Sequence, residues 1–144
     1  MDFKNVKLNR IFLLSILICI CSASCSFDTI ESKFANYEEA LDENFFEKGW
    51  IPKELVNKEM KKIFVKNDLD RNTCIFSYQL PTSEIEILEE NLFRLEQNYT
   101  ERLNINNSKW FEKDILNLPK YRSKDFKHGI ALNKEKRIVY GWLN

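Results

Sequence analysis

The chain has 144 residues, room for a single domain. Lys plus Arg and Asp plus Glu number 22 each, so the formal net charge is zero, and that balance offers no concentrated cationic surface for nucleic acid. With 44% hydrophobic residues and only three Gly and three Pro, collagen-like, low-complexity and long disordered chains are excluded.

Residues 1–24 carry Lys4, Lys7 and Arg10, then an apolar run over 11–21, then Ser22, Ala23 and Ser24. That order predicts a bacterial-type signal peptide. The run is about half of the roughly 20 apolar residues that a membrane-spanning helix needs. Ser22-Ala23-Ser24-Cys25 resembles the lipobox of bacterial lipoproteins, in which small residues precede a Cys that receives diacylglycerol. Ala23 and Ser24 fit that pattern, whereas Ser22 stands where an aliphatic residue is usual. Lipidation of Cys25 is the favoured reading; conventional cleavage and a retained anchor are the alternatives. Cys19 and Cys21 would leave with the signal, and Cys74 would be the one thiol of the body. Losing residues 1–24 removes three basic residues and one acid from 22 of each, leaving 19 against 21.

Residues 25–35 then read as the lipidated Cys and a tether, and 36–144 as one α+β domain. Helix one is expected over 37–48, with Asn36 and Glu39 as a capping box and Gly49 as the left-handed stop. Tyr37, Leu41 and Phe45 share its apolar face. Residues 61–66 and 73–80 alternate as strands around the turn chemistry of 67–72, which predicts a hairpin. Helix two opens at 81–83, with Ser83 and Glu86 as a capping box and Ile85, Leu88, Leu92 and Leu95 as its stripe. A connection over 97–127 holds Trp110 and a short helix over 110–117. Strands over 130–132 and 138–143 close a second hairpin. The expected fold is a small antiparallel sheet of about four strands with two helices packed on one face.

Chemistry-bearing patterns are few. Asp68, Asp70 and Asn72 have the spacing that begins a calcium loop, but Thr73 and Gln79 stand where its Gly and Glu belong, so a hairpin turn is expected. Cys74 and His128 are the available thiol–imidazole pair. Cys74 alternates with Phe76 and Tyr78 as a small hydrophobe, and His128 lies in a polar stretch that reads as surface. Glu38-Glu39 and Glu89-Glu90 adjoin amphipathic stripes and look like solvated helix faces. The glycines stand alone, so no phosphate loop is expected, and one His and four Cys leave little material for a metal site; no cofactor is expected. Trp50 and Trp142 read as core. Trp110, with Asp68 and Asp70, marks the expected recognition surface.

Gly49-Trp50-Ile51-Pro52 followed by Asp68-Leu69-Asp70-Arg71-Asn72-Thr73 resembles the YbbD-like head domains of short bacterial membrane-anchored proteins, over about residues 37–95 and the final hairpin. After GWIP such proteins usually have a Leu-Pro-Ser-Ala-like segment, where this chain has Leu55-Val56-Asn57-Lys58. The resemblance implies a small extracytoplasmic domain on an anchor and carries over no catalytic residue. The function expected is a non-catalytic binding module of the bacterial envelope, held to the bilayer through acylated Cys25 and engaging an envelope protein. A small hydrolase using Cys74 and His128, or an acidic site, is the alternative.

Overall fold

A computed structural model describes residues 29–95, 109–124 and 127–143. Residues 1–24 and Cys25 lie outside the described residues, as does the Trp110 side chain.

Two hairpins build the centre of the molecule. β2 (Lys61–Asp68) pairs with β3 (Thr73–Gln79), and β6 (His128–Asn133) pairs with β7 (Ile138–Leu143), all antiparallel. Both turns hold four residues and use one local device. Asp68 Oδ1 accepts the Arg71 N–H at 3.2 Å, and Asn133 Oδ1 accepts the Lys136 N–H at 2.9 Å. The last turn residue is left-handed in each, Asn72 at φ 50° and Arg137 at φ 58°. Asp and Asn favour such turns because their short side chains bond the backbone nearby.

Three further strands complete the sheet: β1 (Thr29–Asn36), β4 (Phe93–Arg94) and β5 (Lys120–Arg122). The order is β1-β2-β3-β7-β6-β5-β4. The expected four-strand α+β fold is therefore corrected to a mainly β, seven-stranded antiparallel sheet with three short helices. Residues 29–35, expected as tether, are most of β1 and pair along β2 from Thr29↔Asp68 to Phe34↔Ile63. Local pattern hides them because only Phe34 in that strand is buried, while β4 and β5 are too short to show a period.

The helices also differ from expectation. α1 (Tyr37–Asp42) has six residues, not twelve, because Asn44 turns left-handed at φ 53° and the chain continues as a 3-10 turn, Phe45–Lys48. The helical phase breaks there, so Ala40 is buried and Leu41 is exposed. Asn36 does cap Glu39 N–H at 3.0 Å, while the Glu39 carboxylate takes the Ala35 N–H at 2.5 Å. α2 (Thr82–Glu90) starts after Pro81, whose carbonyl accepts from Glu84 and Ile85 N–H, so the Ser83 capping box does not form. α3 (Lys109–Ile115) carries Trp110. Among the described residues no helix is long and apolar enough to cross a membrane.

Both sheet faces are covered, rather than one. The main core joins Ile63, Val65, Phe76, Tyr78, Ile130 and Val139 to Ala40, Phe45 and Ile85 from α1, the 3-10 turn and α2. On the opposite face Ile75, Tyr140 and Trp142 meet Phe111 and Ile115 of α3, with Phe111 edge-on to Trp142 at 6.3 Å. Because β3 pairs with β7, the chain must reach the far edge at β4 before returning. α2 carries it there.

A candidate binding groove

The thiol and the imidazole singled out in the sequence do not converge. Cys74 pairs across the ladder with Leu143, and Leu143 pairs with His128, so a whole strand separates thiol from imidazole. Two strand spacings amount to roughly 10 Å. Burial pushes the Cys74 thiol up to about 12, and its Sγ donates to the Trp50 carbonyl at 3.8 Å. A thiol so placed is held in its un-ionised, unreactive form. His128 is 6% exposed, which corrects its expected surface position. It alternates with Ile130 and Leu132, the signal that would have placed it inward; its charged neighbour Lys127 obscured that.

Asp68 and Asp70 sit at the tip of the β2–β3 hairpin. Asp68 is buried, with its carboxylate committed to the Arg71 N–H and, at 3.8 Å, to the Arg71 guanidinium. Asp70 is an exposed turn residue. By register Asp68 lies on the sheet face that α3 covers, and α3 carries Trp110, whose side chain is outside the described residues. Among the described residues no group of three or more His, Cys, Asp or Glu gathers as metal ligands.

The groove lies elsewhere, between α2 and the short 3-10 turn Lys53–Leu55 with the residues after it. Pro52, which cannot extend a helix, sends the chain into that turn. Its position is fixed from beneath, where the buried Tyr78 hydroxyl donates to the Leu55 carbonyl at 2.9 Å. Burial raises the Tyr78 hydroxyl's pKa, keeping it protonated as a donor. From the side, Asn57 Nδ2 donates to Glu84 Oε2 at 2.7 Å and ties the segment to the first turn of α2.

Between these walls is a cavity of about 230 Å³. Leu55, Leu80, Leu88 and Leu92 form its apolar lining, and Glu54, Asn57, Glu84, Asn91 and Lys124 its polar rim. Ile87 stands at the lip, 54% exposed. A shallower depression between Phe46 and Lys53 adjoins it through Val56, which lines both.

The helix wall is anchored at its other end. Glu89 accepts from the Tyr121 hydroxyl on β5 and pairs with Lys134 in the β6–β7 turn. Those two partners hold the Glu89 carboxyl below the usual carboxylate range, Lys134 first. Burial and the Glu89 carboxylate push Tyr121 up to about 12. The Lys124 ammonium donates to Asn91 Oδ1 at 3.4 Å, and Asn91 Nδ2 donates back to the Ile87 carbonyl at 2.8 Å. The arrangement is a pre-formed slot with an apolar floor and a fixed polar rim, the usual anatomy of a binding site. Sequence reasoning missed it because the residues that tie its two walls together, Asn57 and Glu84, lie 27 positions apart.

Residues 28–79 match the family model of the YbbD head domain. The likeness to YbbD-like head domains therefore holds over β1 to β3, including the 3-10 turns, the inner wall of the groove and the first hairpin. No curated protein and no solved structure matches the chain.

Proposed function

We propose that this chain, with its YbbD-like head at residues 28–79, is an extracytoplasmic, membrane-anchored binding module that grips a segment of an envelope protein without catalysing a reaction. The observation that carries the reading is the groove beside α2, with its leucine floor, exposed Ile87 and bonded polar rim. Its occupant is a short peptide segment offering aliphatic side chains to the floor and a cation to Glu54 and Glu84, which outnumber Lys124 on the rim. Apolar anchors in a pocket ringed by polar groups supply most of the energy of such contacts. The inert, buried Cys74 and its separation from His128 support a non-catalytic role. Anchoring is supported by the basic start, short apolar run and small residues before Cys25.

The tagged full chain, crosslinked in its host envelope, tests the groove. Ile87→Glu alters an exposed side chain and should abolish recovery of the wild-type partner at unchanged melting temperature. Undiminished recovery would remove the groove from the function. Fatty-acid labelling of wild type but not Cys25→Ser is expected, and equal labelling of both would overturn the lipid anchor.

A further inference from the structure

β1 is an outermost strand of the sheet and is eight residues long, with neither Pro nor Gly in it. Long edge strands invite pairing with another strand unless their side chains oppose it. The Ala35 end is closed, since the Glu39 carboxylate takes the Ala35 N–H. Residues 29–34 keep an uncovered edge among the described residues.

The side chains of that edge are self-complementary. Ile30, Ser32 and Phe34 face the main core side, and Thr29, Glu31 and Lys33 face the other. We propose that two copies of this chain pair antiparallel through β1 about a two-fold axis at Ser32, joining two seven-stranded sheets into one. Glu31 of one copy then lies opposite Lys33 of the other, twice. Ile30, 47% exposed in the single chain, lies opposite Phe34.

Charge selects this register over its neighbours. A symmetric pairing keeps each face continuous, so the axis must pass through a residue, and a shift by one position moves opposed residues by two. An axis at Lys33 would oppose two ammonium groups, and one at Glu31 two carboxylates. Like charges directly opposite destabilise a strand pair, and unlike charges stabilise it. A lone edge Lys protects against pairing; Glu31, two residues before Lys33, converts that guard into a match. In the single chain Glu31 pairs with Lys66 of β2 at 3.1 Å and with Lys33 at 3.9 Å, and the Lys33 ammonium lies 5.7 Å over the Phe64 ring. The pairing across the axis therefore adds to contacts these side chains already make on the β2 side. Pairing of one strand buries less than the roughly 1,200–2,000 Å² of stable interfaces, so the dimer is concentration-dependent.

The test is disulfide trapping of the full chain in detergent micelles under mild oxidant. Ser32→Cys places two thiols on the axis, with Cα atoms about 4.5–5.5 Å apart, within disulfide reach. Ile30→Cys is the control, because it is exposed yet lies roughly 14 Å from its own copy, four residues along the strands. Ser32→Cys should give at least tenfold more trapped dimer than wild type or Ile30→Cys. Lys33→Glu in the Ser32→Cys background, opposing carboxylates on both sides of the axis, should cut that yield severalfold. Sedimentation of the wild type should show a monomer–dimer equilibrium that Lys33→Glu weakens. Trapping of Ile30→Cys equal to Ser32→Cys, indifference to Lys33→Glu, or a wild type monomeric at every concentration would each overturn the proposal.

Discussion

The ring of Phe76 on β3 lies over Gly141 on β7, its cross-strand partner, so closely that a Cβ at position 141 would sit 1.9 Å from the ring. Gly129 and Trp142 repeat the relationship on the other face, where a Cβ would meet the indole at 2.1 Å. In both pairs a large ring covers the backbone of a residue without a side chain. The two glycines are therefore packing residues, and backbone freedom is not what selects them.

Gly141→Ala should accordingly destabilise the fold by at least about 1–3 kcal/mol, the range for overpacking a dense core. The buried Phe76 ring has no open space to move into. Gly49→Ala should also cost about 1–2 kcal/mol, for a different reason: nothing lies within 4 Å of the added atom, but the φ of 74° disfavours any Cβ. Urea unfolding separates the two causes in a second step. Phe76→Leu should relieve part of the Gly141→Ala loss and none of the Gly49→Ala loss.

Ile85→Ala should cost about 2–5 kcal/mol, since Ile85 is fully buried where α2 meets the main core. Ile87→Ala, two residues along and exposed, should change stability by less than about 0.5 kcal/mol. Equal losses by thermal unfolding would show that α2 presents a different face.

Glu89 makes stability acid-sensitive. Its carboxyl is held low in the folded chain by Lys134 and Tyr121, so the unfolded chain takes up the proton first as pH falls. Its contribution is therefore complete above the unfolded value of about 4.3 and is lost as pH drops through the lower folded value. Glu89→Gln should flatten the stability–pH curve below about pH 4.5 and leave its neutral limb parallel to that of the wild type. A curve unchanged in shape would show that the Lys134 and Tyr121 contacts do not persist in solution.

Cys74 should resist alkylation in the folded chain at pH 8, because burial places its pKa near 12. Mass spectrometry of the peptide containing Cys74 should show labelling only after denaturant is added. Rapid labelling of native protein would mean that the strand around it opens far more readily than its packing implies.

The central strands were legible from residues alone. Alternation of Cys74, Phe76, Tyr78 and Leu80 defined β3, and Asp68 to Asn72 announced the turn before it by side chains able to bond their own backbone. The final hairpin and the burial of Ile85 and Trp142 were equally local readings. The groove was not, since Asn57 and Glu84 carry no pattern that anticipates their bond.

What the sequence determined by itself was the set of segments whose own periodicity or turn chemistry favours one conformation. Only the tertiary structure decided that residues 29–36 are a strand, because an edge strand with one buried side chain gains its order from pairing with β2. The two- and three-residue strands β4 and β5 likewise exist through their neighbours. The second covered face was decided in the same way: Ile75 and Tyr140 are read as inward only once α3 delivers Phe111 against them. Local pattern reports what a segment buries on its own account, whereas pairing between distant segments depends on loop closures that no short window contains.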